Sequence, residues 1–156
     1  MTGGTGRRNR WMVPALAGAA VLLLDQLTKW WASEALADRT IDLVWTLRLH
    51  LVFNTGAAFS QGEGWGPLFA VLILLVVALL VRQGAGTDDP MTRIAVGVVI
   101  GGAIGNLADR AFREGGGFFG GAVIDFIDLQ WWPVFNVADS AIVVGGVLVV
   151  WRGWRR

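Results

Sequence analysis

Four apolar segments, each close to the length that crosses a bilayer, constrain this chain more than any other feature. They cover approximately residues 11–31, 65–81, 92–111 and 135–151. A chain of 156 residues with a mean hydropathy of +0.56 and only 16% charged residues is too apolar for an ordinary soluble domain. The sequence therefore predicts a single integral membrane domain, residues 1–156, with four transmembrane helices.

The tryptophans favour a membrane protein over a soluble one. The uninterrupted apolar runs inside the four segments are only about 11 to 14 residues long, a length also found in helices buried in soluble cores. Tryptophan side chains, however, concentrate where membrane proteins meet the lipid headgroups. Eight tryptophans lie at or near the ends of the segments: Trp11, Trp30, Trp31, Trp65, Trp131, Trp132, Trp151 and Trp154.

Arginines at the two ends of the chain predict its orientation. Three precede the first segment and three follow the last: Arg7, Arg8, Arg10, Arg152, Arg155 and Arg156. Because positive residues accumulate on the cytoplasmic side, both termini are predicted to be cytoplasmic, with residues 32–64 and 112–134 outside. A cleaved signal peptide is the alternative, since Ala35-Leu36-Ala37 has the form of a cleavage site, but the first segment is long for a signal core.

An alternating pattern at approximately residues 40–60 predicts a β-strand outside the membrane. Apolar side chains occupy every second position: Ile41, Leu43, Trp45, Leu47, Leu49, Leu51 and Phe53. We expect one strand whose apolar face lies toward lipid or a lipid-like substrate, followed by the turn residues Asn54-Thr55-Gly56. His50 falls on the polar side of this strand, where we interpret it as an ordinary surface residue.

Polar residues within the apolar segments gather at one membrane face. Ionisable groups are expensive in lipid, so such residues indicate a functional site. With the predicted orientation they lie at the outer ends of the first, third and fourth segments: Asp25, Gln26, Lys29, Asn106, Asp109, Arg110, Asn136, Asp139 and Ser140. Within each segment their spacing of three or four residues places the main members on one helix face. Asp125 lies between segments, where apolar neighbours would keep it at the bilayer edge.

Several of these residues also have structural interpretations. Asp25 and Lys29 are four residues apart and predict an ion pair, while Asp109 with Arg110 predicts support rather than chemistry. Asn136, at the start of a segment, is a candidate helix N-cap. Three glycines at four-residue spacing predict close helix packing rather than a phosphate-binding loop, because they lie inside an apolar segment: Gly97, Gly101 and Gly105.

The residue types present exclude several kinds of catalysis. The chain has no cysteine, which excludes thiol chemistry, and its one histidine, His50, belongs to no HExxH zinc motif. Lys29 with Ser33 one turn away is a weak candidate for serine chemistry. Two neighbouring carboxylates that share a proton can instead activate water and polarise a peptide carbonyl. Spacing alone leaves five candidates open for such a pair: Asp25, Asp109, Asp125, Asp128 and Asp139.

Five motifs, in order along the chain, resemble the bacterial lipoprotein signal peptidase family, signal peptidase II. Each motif is short, but together they cover nearly the whole chain. They are Asp25-Gln26-x-Thr28-Lys29, Asn54-x-Gly56-Ala57-Ala58-Phe59, Gly101-Gly102-Ala103-x-Gly105-Asn106-x-x-Asp109-Arg110, Val123-Ile124-Asp125-Phe126 and Phe135-Asn136-x-Ala138-Asp139-Ser140. This resemblance, and not the spacing, selects among the five aspartates.

The resemblance implies an aspartic endopeptidase that cleaves diacylglyceryl-modified prolipoproteins just before the lipidated cysteine. It implies Asp125 and Asp139 as the catalytic dyad and a small β-rich extracytoplasmic cradle over the alternating segment. It implies no metal or other cofactor. It also implies inhibition by globomycin and contact with membrane lipids. The site is expected at the extracytoplasmic face of the bacterial cytoplasmic membrane. The implied substrate-binding or supporting residues are Asp25, Lys29, Asn54, Gly56, Asn106, Asp109, Arg110, Asn136 and Ala138.

Three other classes of function fit the sequence less well. The net charge of +1 gives no basic field for nucleic acid. A small transporter also clusters charges in a membrane, but the inner halves of the segments, such as Leu72–Leu80 and Ala141–Val150, contain no polar residue. A lipid-binding or scaffold protein with structural ion pairs would cleave nothing.

Overall fold

The computed structural model describes residues 10–56, 66–114 and 119–154, and within these ranges the chain forms four helices and three strands. In chain order they are α1 (Met12–Ala35), β1 (Ile41–Val44), β2 (Leu47–Asn54), α2 (Gly66–Gly86), α3 (Pro90–Phe112), β3 (Val123–Asp128) and α4 (Val137–Trp154). The four helices overlap the four apolar segments. Some predicted features lie outside the described residues: Arg7, Arg8, Ala57-Ala58-Phe59, Trp65, Arg155 and Arg156.

Small residues allow α3 to pack against α1 and α4 at close backbone distances. A side chain on Gly97 would overlap the backbone of Pro14 in α1. One on Gly101 would overlap the backbone of Gly18, one turn further along α1. On the other side of α3, a Cβ on Gly145 of α4 would lie 2.6 Å from a valine side chain. The predicted role of the spaced glycines in packing is therefore confirmed.

The outward faces of the helices are apolar. Leu16, Leu79 and Val150, on three different helices, are 63% to 68% exposed. In the described part of the chain, α1, α3 and α4 are long and apolar enough to cross a membrane, whereas the apolar stretch found in α2, Val71–Gly84, is shorter. A soluble protein rarely leaves so much contiguous apolar surface in water. The protein is a mainly helical membrane protein with three candidate spans.

Charged contacts fix the end of the bundle at which α3 begins. Asp89 is the N-cap of α3, and its carboxylate accepts hydrogen bonds from the backbone N–H of Thr92 at 3.1 Å and its hydroxyl at 2.6 Å. Arg152 of α4 donates to both oxygens of Asp89, at 2.7 and 3.0 Å. Arg152 and Thr92 together hold the pKa of Asp89 below its ordinary value. Arg10 pairs with Asp88 at 3.0 Å, so this end joins α1, α3 and α4.

The three strands form one antiparallel sheet in the order β1-β2-β3. Val52 of β2 lies opposite Asp125 of β3, which places β2 beside the middle of the Val-Ile-Asp-Phe motif. Beyond β3, Phe135 forms an antiparallel bridge with Ile127. That bridge returns the chain to the sheet immediately before α4 begins. The sheet therefore positions both Asp125 and the first turn of α4.

The prediction of a single alternating strand is wrong. Val44 pairs with Leu47 across the two-residue turn Trp45-Thr46, so the segment is a hairpin of two strands. The alternation continued through the turn because an apolar residue, Trp45, occupies its first position. The sequence pattern therefore contained no break at the point where the chain reverses.

The apolar side of the sheet packs on α1, not only toward lipid as predicted. The buried residues of this small core are Ala32, Leu36, Ile124 and Phe126, and Ile41, Leu49 and Leu51 pack around them. Trp31 of α1 contacts Phe126 edge-on, with ring centroids 6.5 Å apart. Burying these side chains holds the sheet against the last turns of α1. These turns also carry Lys29, so the sheet and the polar cluster lie at the same end of the bundle.

Candidate active site

Asp125 lies in β3 with its side chain almost completely buried. Asn54, at the end of β2, donates a hydrogen bond from Nδ2 to Oδ2 of Asp125 at 2.9 Å. Asn136, immediately before α4, donates from Nδ2 to the other oxygen at 2.7 Å. The N–H of Gly56 donates to Oδ1 of Asn54 at 2.9 Å, and Gly56 has a φ of 83°, which glycine adopts without steric strain. Both carboxylate oxygens of Asp125 therefore accept hydrogen bonds from amides.

Asp139 lies in the first turn of α4 and shares a hydrogen-bond partner with Asp125. Asn106 of α3 donates from Nδ2 to Oδ1 of Asp139 at 2.7 Å, and the backbone N–H of Asn136 donates to Oδ2 at 3.2 Å. In return, the N–H of Asp139 donates to Oδ1 of Asn136 at 2.9 Å. This reciprocal pair confirms Asn136 as the predicted N-cap. Asn136 therefore binds both carboxylates.

The chemistry of their partners fixes the orientation of all three asparagine amides. Oδ1 of Asn54 and Oδ1 of Asn136 each accept from a backbone N–H. Oδ1 of Asn106 accepts from the ammonium group of Lys29 at 2.9 Å. Neither a backbone N–H nor an ammonium group can accept a hydrogen bond, so the oxygen must face it and the amide nitrogen must face away. Each amide nitrogen then faces a carboxylate.

Lys29 is fully buried and, together with its partners, connects three helices. Its ammonium group lies 2.8 Å from Oδ2 of Asp25 and 2.8 Å from Oδ2 of Asp109, in addition to Oδ1 of Asn106. The predicted pair between Asp25 and Lys29 is confirmed as one part of this larger cluster. The other oxygen of Asp25 accepts the backbone N–H of Ala138 at 3.0 Å. Because buried charges are stable only when paired and hydrogen-bonded, Lys29 and its partners hold α1, α3 and α4 in one arrangement.

Asp109 has a second cationic partner that the sequence analysis missed. Arg113 donates from Nε to Oδ1 of Asp109 at 2.8 Å. Residues four apart share a helix face whereas adjacent residues do not, so this spacing could have revealed the pair. Arg110 is buried and interacts electrostatically with Asp125, Asp109 and Asp139. The prediction placed Asp109 and Arg110 together in support, and Arg113 now joins them.

Gln26, which the sequence analysis placed in the polar cluster, bridges α1 and α3. Its Nε2 donates to Oδ2 of Asp25 at 3.1 Å and to the carbonyl oxygen of Gly105 at 3.2 Å. A side chain on Gly105 would lie 2.5 Å from Oδ2 of Asp25. Glycine at position 105 therefore leaves the space that the Asp25 carboxylate occupies.

The contacts divide the five candidate aspartates into two groups. Three of them pair with a lysine or arginine: Asp25, Asp109 and Asp128. In contrast, the hydrogen bonds that Asp125 and Asp139 accept come from amides. The structure therefore separates a charge-neutralised group from two carboxylates that share Asn136.

Two aspartates of β3 differ in their affinity for a proton. Burial is the main cause that raises the pKa of Asp125 to about 6, and the nearby charge of Asp139 acts in the same direction. Burial also acts to raise the pKa of Asp128, but hydrogen bonds from Arg48 and the backbone of Gln130 lower it below its ordinary value. Arg48 lies 2.6 Å from Asp128. Asp125 is therefore the residue of this strand that can hold a proton near neutral pH.

A cavity opens beside each of the two carboxylates. A groove of about 460 Å³ runs from Asp139 along α4, and Trp132 and Val143 are among its almost entirely apolar walls. A second cavity of about 280 Å³ reaches Asp125 and includes Pro133. Substrate can therefore approach each carboxylate from outside the bundle.

The structure brings the predicted site residues together. They form one connected set of hydrogen bonds, ion pairs and electrostatic contacts: Asp25, Lys29, Asn54, Gly56, Asn106, Asp109, Arg110, Asp125, Asn136, Ala138 and Asp139. In the portion of the chain that the structure describes, no group of three or more His, Asp or Glu side chains is placed to hold a metal ion.

Comparison with known proteins identifies the family. The profile of the A8 peptidases, described as signal peptidase (SPase) II, matches residues 17–155. The chain belongs to the signal peptidase II family. It is therefore an aspartic endopeptidase that cleaves signal peptides from prolipoproteins, and neither the transporter nor the scaffold alternative is supported.

Curated members of the signal peptidase II family align with most of the chain. The lipoprotein signal peptidase of Syntrophomonas wolfei is 41% identical over 133 residues, which cover 83% of this chain and 85% of that protein. The lipoprotein signal peptidase of Rhodococcus jostii is 42% identical over 145 residues, covering 92% of this chain and 72% of that protein.

Two solved structures share the fold. Both are described as bacterial membrane enzymes determined by the in meso method, and both are 24% identical to this chain. The first has a TM-score of 0.75 and covers 91% of this chain and 87% of its own. The second has a TM-score of 0.71 and covers 88% and 89%.

Proposed function

We propose that Asp125 and Asp139 are the catalytic pair of this peptidase. The observation that carries the proposal is Asn136, which donates to both carboxylates, from its side chain to Asp125 and from its backbone to Asp139. Two carboxylates held this close do not both ionise readily, so one proton is shared. The other candidates already have cationic partners and are poorly suited to exchange protons with substrate.

In the proposed reaction, the ionised member of the pair removes a proton from a water molecule. The water oxygen bonds to the carbonyl carbon of the scissile peptide, while the protonated member donates a hydrogen bond, then its proton, to the carbonyl oxygen. The resulting tetrahedral intermediate collapses when the aspartate that took the water proton passes it to the peptide nitrogen of the cysteine and the C–N bond breaks. As the carbonyl group re-forms, a hydroxyl group of the intermediate returns its proton to the other aspartate. One carboxyl and one carboxylate remain, so the pair is ready for another cycle.

The asparagines orient this pair and leave its free lone pairs toward substrate. Each carboxylate oxygen uses one lone pair for its hydrogen bond and retains another. Asn106 couples Lys29 to Asp139 electrostatically: the ammonium group of Lys29 polarises the Asn106 amide, and this amide donates a hydrogen bond to the Asp139 carboxylate. We assign Lys29 and Asn106 as positioning residues, since neither lines the groove beside Asp139 or the cavity beside Asp125.

We further propose that the two cavities divide the substrate. The apolar groove beside Asp139 suits acyl chains or the apolar part of a signal peptide, because its walls offer almost no hydrogen-bonding groups. The cavity beside Asp125 includes Asn54 and Thr55, which offer polar contacts to a peptide backbone. The scissile bond would then lie between the two cavities, at the carboxylate pair.

The proposed topology has four transmembrane helices, with both termini in the cytoplasm of a bacterium. The arginines at the chain ends support this orientation, and the length of α2, 21 residues, is sufficient for a fourth span. The catalytic pair would then lie at the extracytoplasmic face of the cytoplasmic membrane. A lipid-anchored cysteine would present its peptide bond at this depth.

Substitution of each carboxylate tests the catalytic pair. Asp125→Asn and Asp139→Asn should each abolish cleavage of a purified diacylglyceryl prolipoprotein while the protein remains folded. Asp128→Asn is the matched control, because Asp128 lies on the same strand but pairs with Arg48, and we expect it to retain most activity. Near-normal turnover by either Asp125→Asn or Asp139→Asn would refute the assignment of these two residues as the catalytic pair.

Two further measurements separate support from chemistry. Asp25→Asn and Asp109→Asn should lose part of their activity and more of their stability than the dyad variants, because both carboxylates pair with Lys29. Globomycin should inhibit the parent enzyme in the same assay. Complete loss of cleavage by Asp25→Asn without loss of stability would place Asp25 in the chemistry instead.

A further inference from the structure

The turn between β1 and β2 presents an indole to the surroundings. Trp45 is 100% exposed, although tryptophan is usually among the more buried residues. Its backbone is left-handed, with a φ of 58°. Asparagine and glycine predominate at such hairpin positions, because other residues carry a steric cost of about 1 kcal/mol or more. The indole at this tip is therefore held on a locally strained backbone.

The strand that leads to this turn is also apolar and exposed. Leu43 is 53% and Val44 is 69% exposed, so three consecutive apolar side chains project from the hairpin. Strand β1 forms an edge of the sheet, and its outer side pairs with no other strand of the described chain. Soluble proteins usually protect such edges with charges, because an apolar edge strand promotes aggregation. This surface is therefore suited to lipid rather than to water.

A hydrogen bond connects this tip with other exposed tryptophans. Gln130 donates from Nε2 to the carbonyl oxygen of Thr46 at 2.9 Å. The next two residues, Trp131 and Trp132, are 69% and 59% exposed and contact each other edge-on. Trp132 also lines the apolar groove that leads along α4. The tip is thus linked through Gln130 to the tryptophans beside the apolar groove, at the end of the bundle that carries the carboxylate pair.

We propose that Leu43, Val44 and Trp45 form a lipid-surface anchor, which inserts into the headgroup region of the leaflet beside the catalytic pair. Tryptophan favours this region because its ring is apolar and its N–H can remain hydrated. The sheet connects the anchor to the site, because β1 pairs with β2, and β2 pairs with β3, which carries Asp125. The anchor sets the height of Asp125 relative to the membrane surface. This positioning role rests on the proposed catalytic pair, whereas insertion of the tip does not.

The absence of cysteine from the sequence permits a direct measurement of depth. Trp45→Cys, labelled with a fluorophore and reconstituted in phosphatidylcholine vesicles, should be quenched by nitroxides on the lipids and protected from a water-soluble quencher. Asp42→Cys is the matched control on the same strand, where an exposed polar residue should remain accessible from water. A label at position 45 that only the aqueous quencher reaches would overturn the anchor. A label that neither quencher reaches would indicate cover by a second protein chain, and would overturn it equally.

Activity tests the positioning role. In vesicles, Trp45→Ser should lower kcat/KM for a lipidated prolipoprotein by roughly fivefold, equivalent to about 1 kcal/mol, mainly through KM. In detergent micelles the same variant should stay within about twofold of the parent, since no bilayer surface remains, and Trp45→Phe should restore part of the loss in vesicles. Equal losses in micelles and vesicles would indicate direct contact with substrate and refute positioning. No loss in vesicles would refute it as well, and neither result bears on inactivation by Asp125→Asn.

Discussion

Replacement of Lys29 by methionine removes the ammonium group that lies between two buried carboxylates. Asp25 and Asp109 each lose a contact of 2.8 Å, and Asn106 loses one of 2.9 Å. Removal of one member of a buried ion pair typically costs about 3–5 kcal/mol, because the remaining charge is left without compensation. Arg113 still pairs with Asp109, so the lower part of this range applies. We therefore expect Lys29→Met to lower the free energy of unfolding by ~3 kcal/mol.

A second substitution tests whether uncompensated charge causes this loss. In the double variant Lys29→Met with Asp25→Asn, the remaining pair, Asp109 with Arg113, is electrically balanced again. The loss should shrink to about 1–2 kcal/mol, which reflects the missing hydrogen bonds alone. Reversible unfolding in mixed detergent micelles, followed by circular dichroism for the parent, both single variants and the double variant, gives the coupling energy.

Two results would refute this reasoning. If Lys29→Met lowered the free energy of unfolding by less than about 1 kcal/mol, water or protons would already compensate the carboxylates. If the double variant were no more stable than Lys29→Met alone, the loss would come from packing of the lysine side chain and not from its charge. In either case, Lys29 would not be the electrostatic centre of the helix packing.

Two further predictions concern packing and pH. Gly101→Ala should lower the unfolding free energy by about 1–3 kcal/mol, because the new methyl group overlaps the backbone of α1. Gly146→Ala is the control: its Cβ would lie in open space, so this variant should be neutral or stabilising in the same unfolding assay. Since the pKa of Asp125 is raised from 3.8 to about 6, the folded state binds this proton more tightly. The contribution of Asp125 to the free energy of unfolding is thus present below pH 3.8 and lost as the pH rises through about 6. Unfolding curves measured over a pH series should show this decrease for the parent and not for Asp125→Asn.

Much of the helical part of the site could be predicted because its signals are local. Asp25 and Lys29 are one helical turn apart, and their contact follows from helix geometry alone. The reciprocal bonds between Asn136 and Asp139 are equally local, since an N-cap and the third helical residue always approach each other. What these patterns could not provide was the arrangement of the helices relative to one another.

The sheet was harder to predict because its pairing is distant in sequence. Val123–Asp128 was not predicted as a strand, because the pattern of so short an apolar segment does not distinguish a buried strand from a buried helix. Its pairing with β2 joins residues about 70 positions apart, such as Val52 and Asp125. Such contacts depend on tertiary packing, which overrides local propensity in strands.

The choice between the five aspartates was non-local for the same reason. Asn54 and Asn136 reach Asp125 from different elements, 71 and 11 residues away in sequence. Only once the chain has folded is it evident that Asp125 receives amides while Asp109 receives Lys29. Without a family resemblance, sequence alone would have left the pair undecided.

The three oriented asparagines also limit how protons travel. An amide does not ionise, so it can hold a carboxylate in place but cannot relay a proton between that carboxylate and a distant lysine. Every direct hydrogen-bond partner of Asp125 and Asp139 in the described structure is an amide group of this kind. The amides therefore give the pair no proton path to Lys29 and its partners, and the pair exchanges protons through the open side, with water and the bound peptide. Turnover in heavy water should consequently report on this single exchange route.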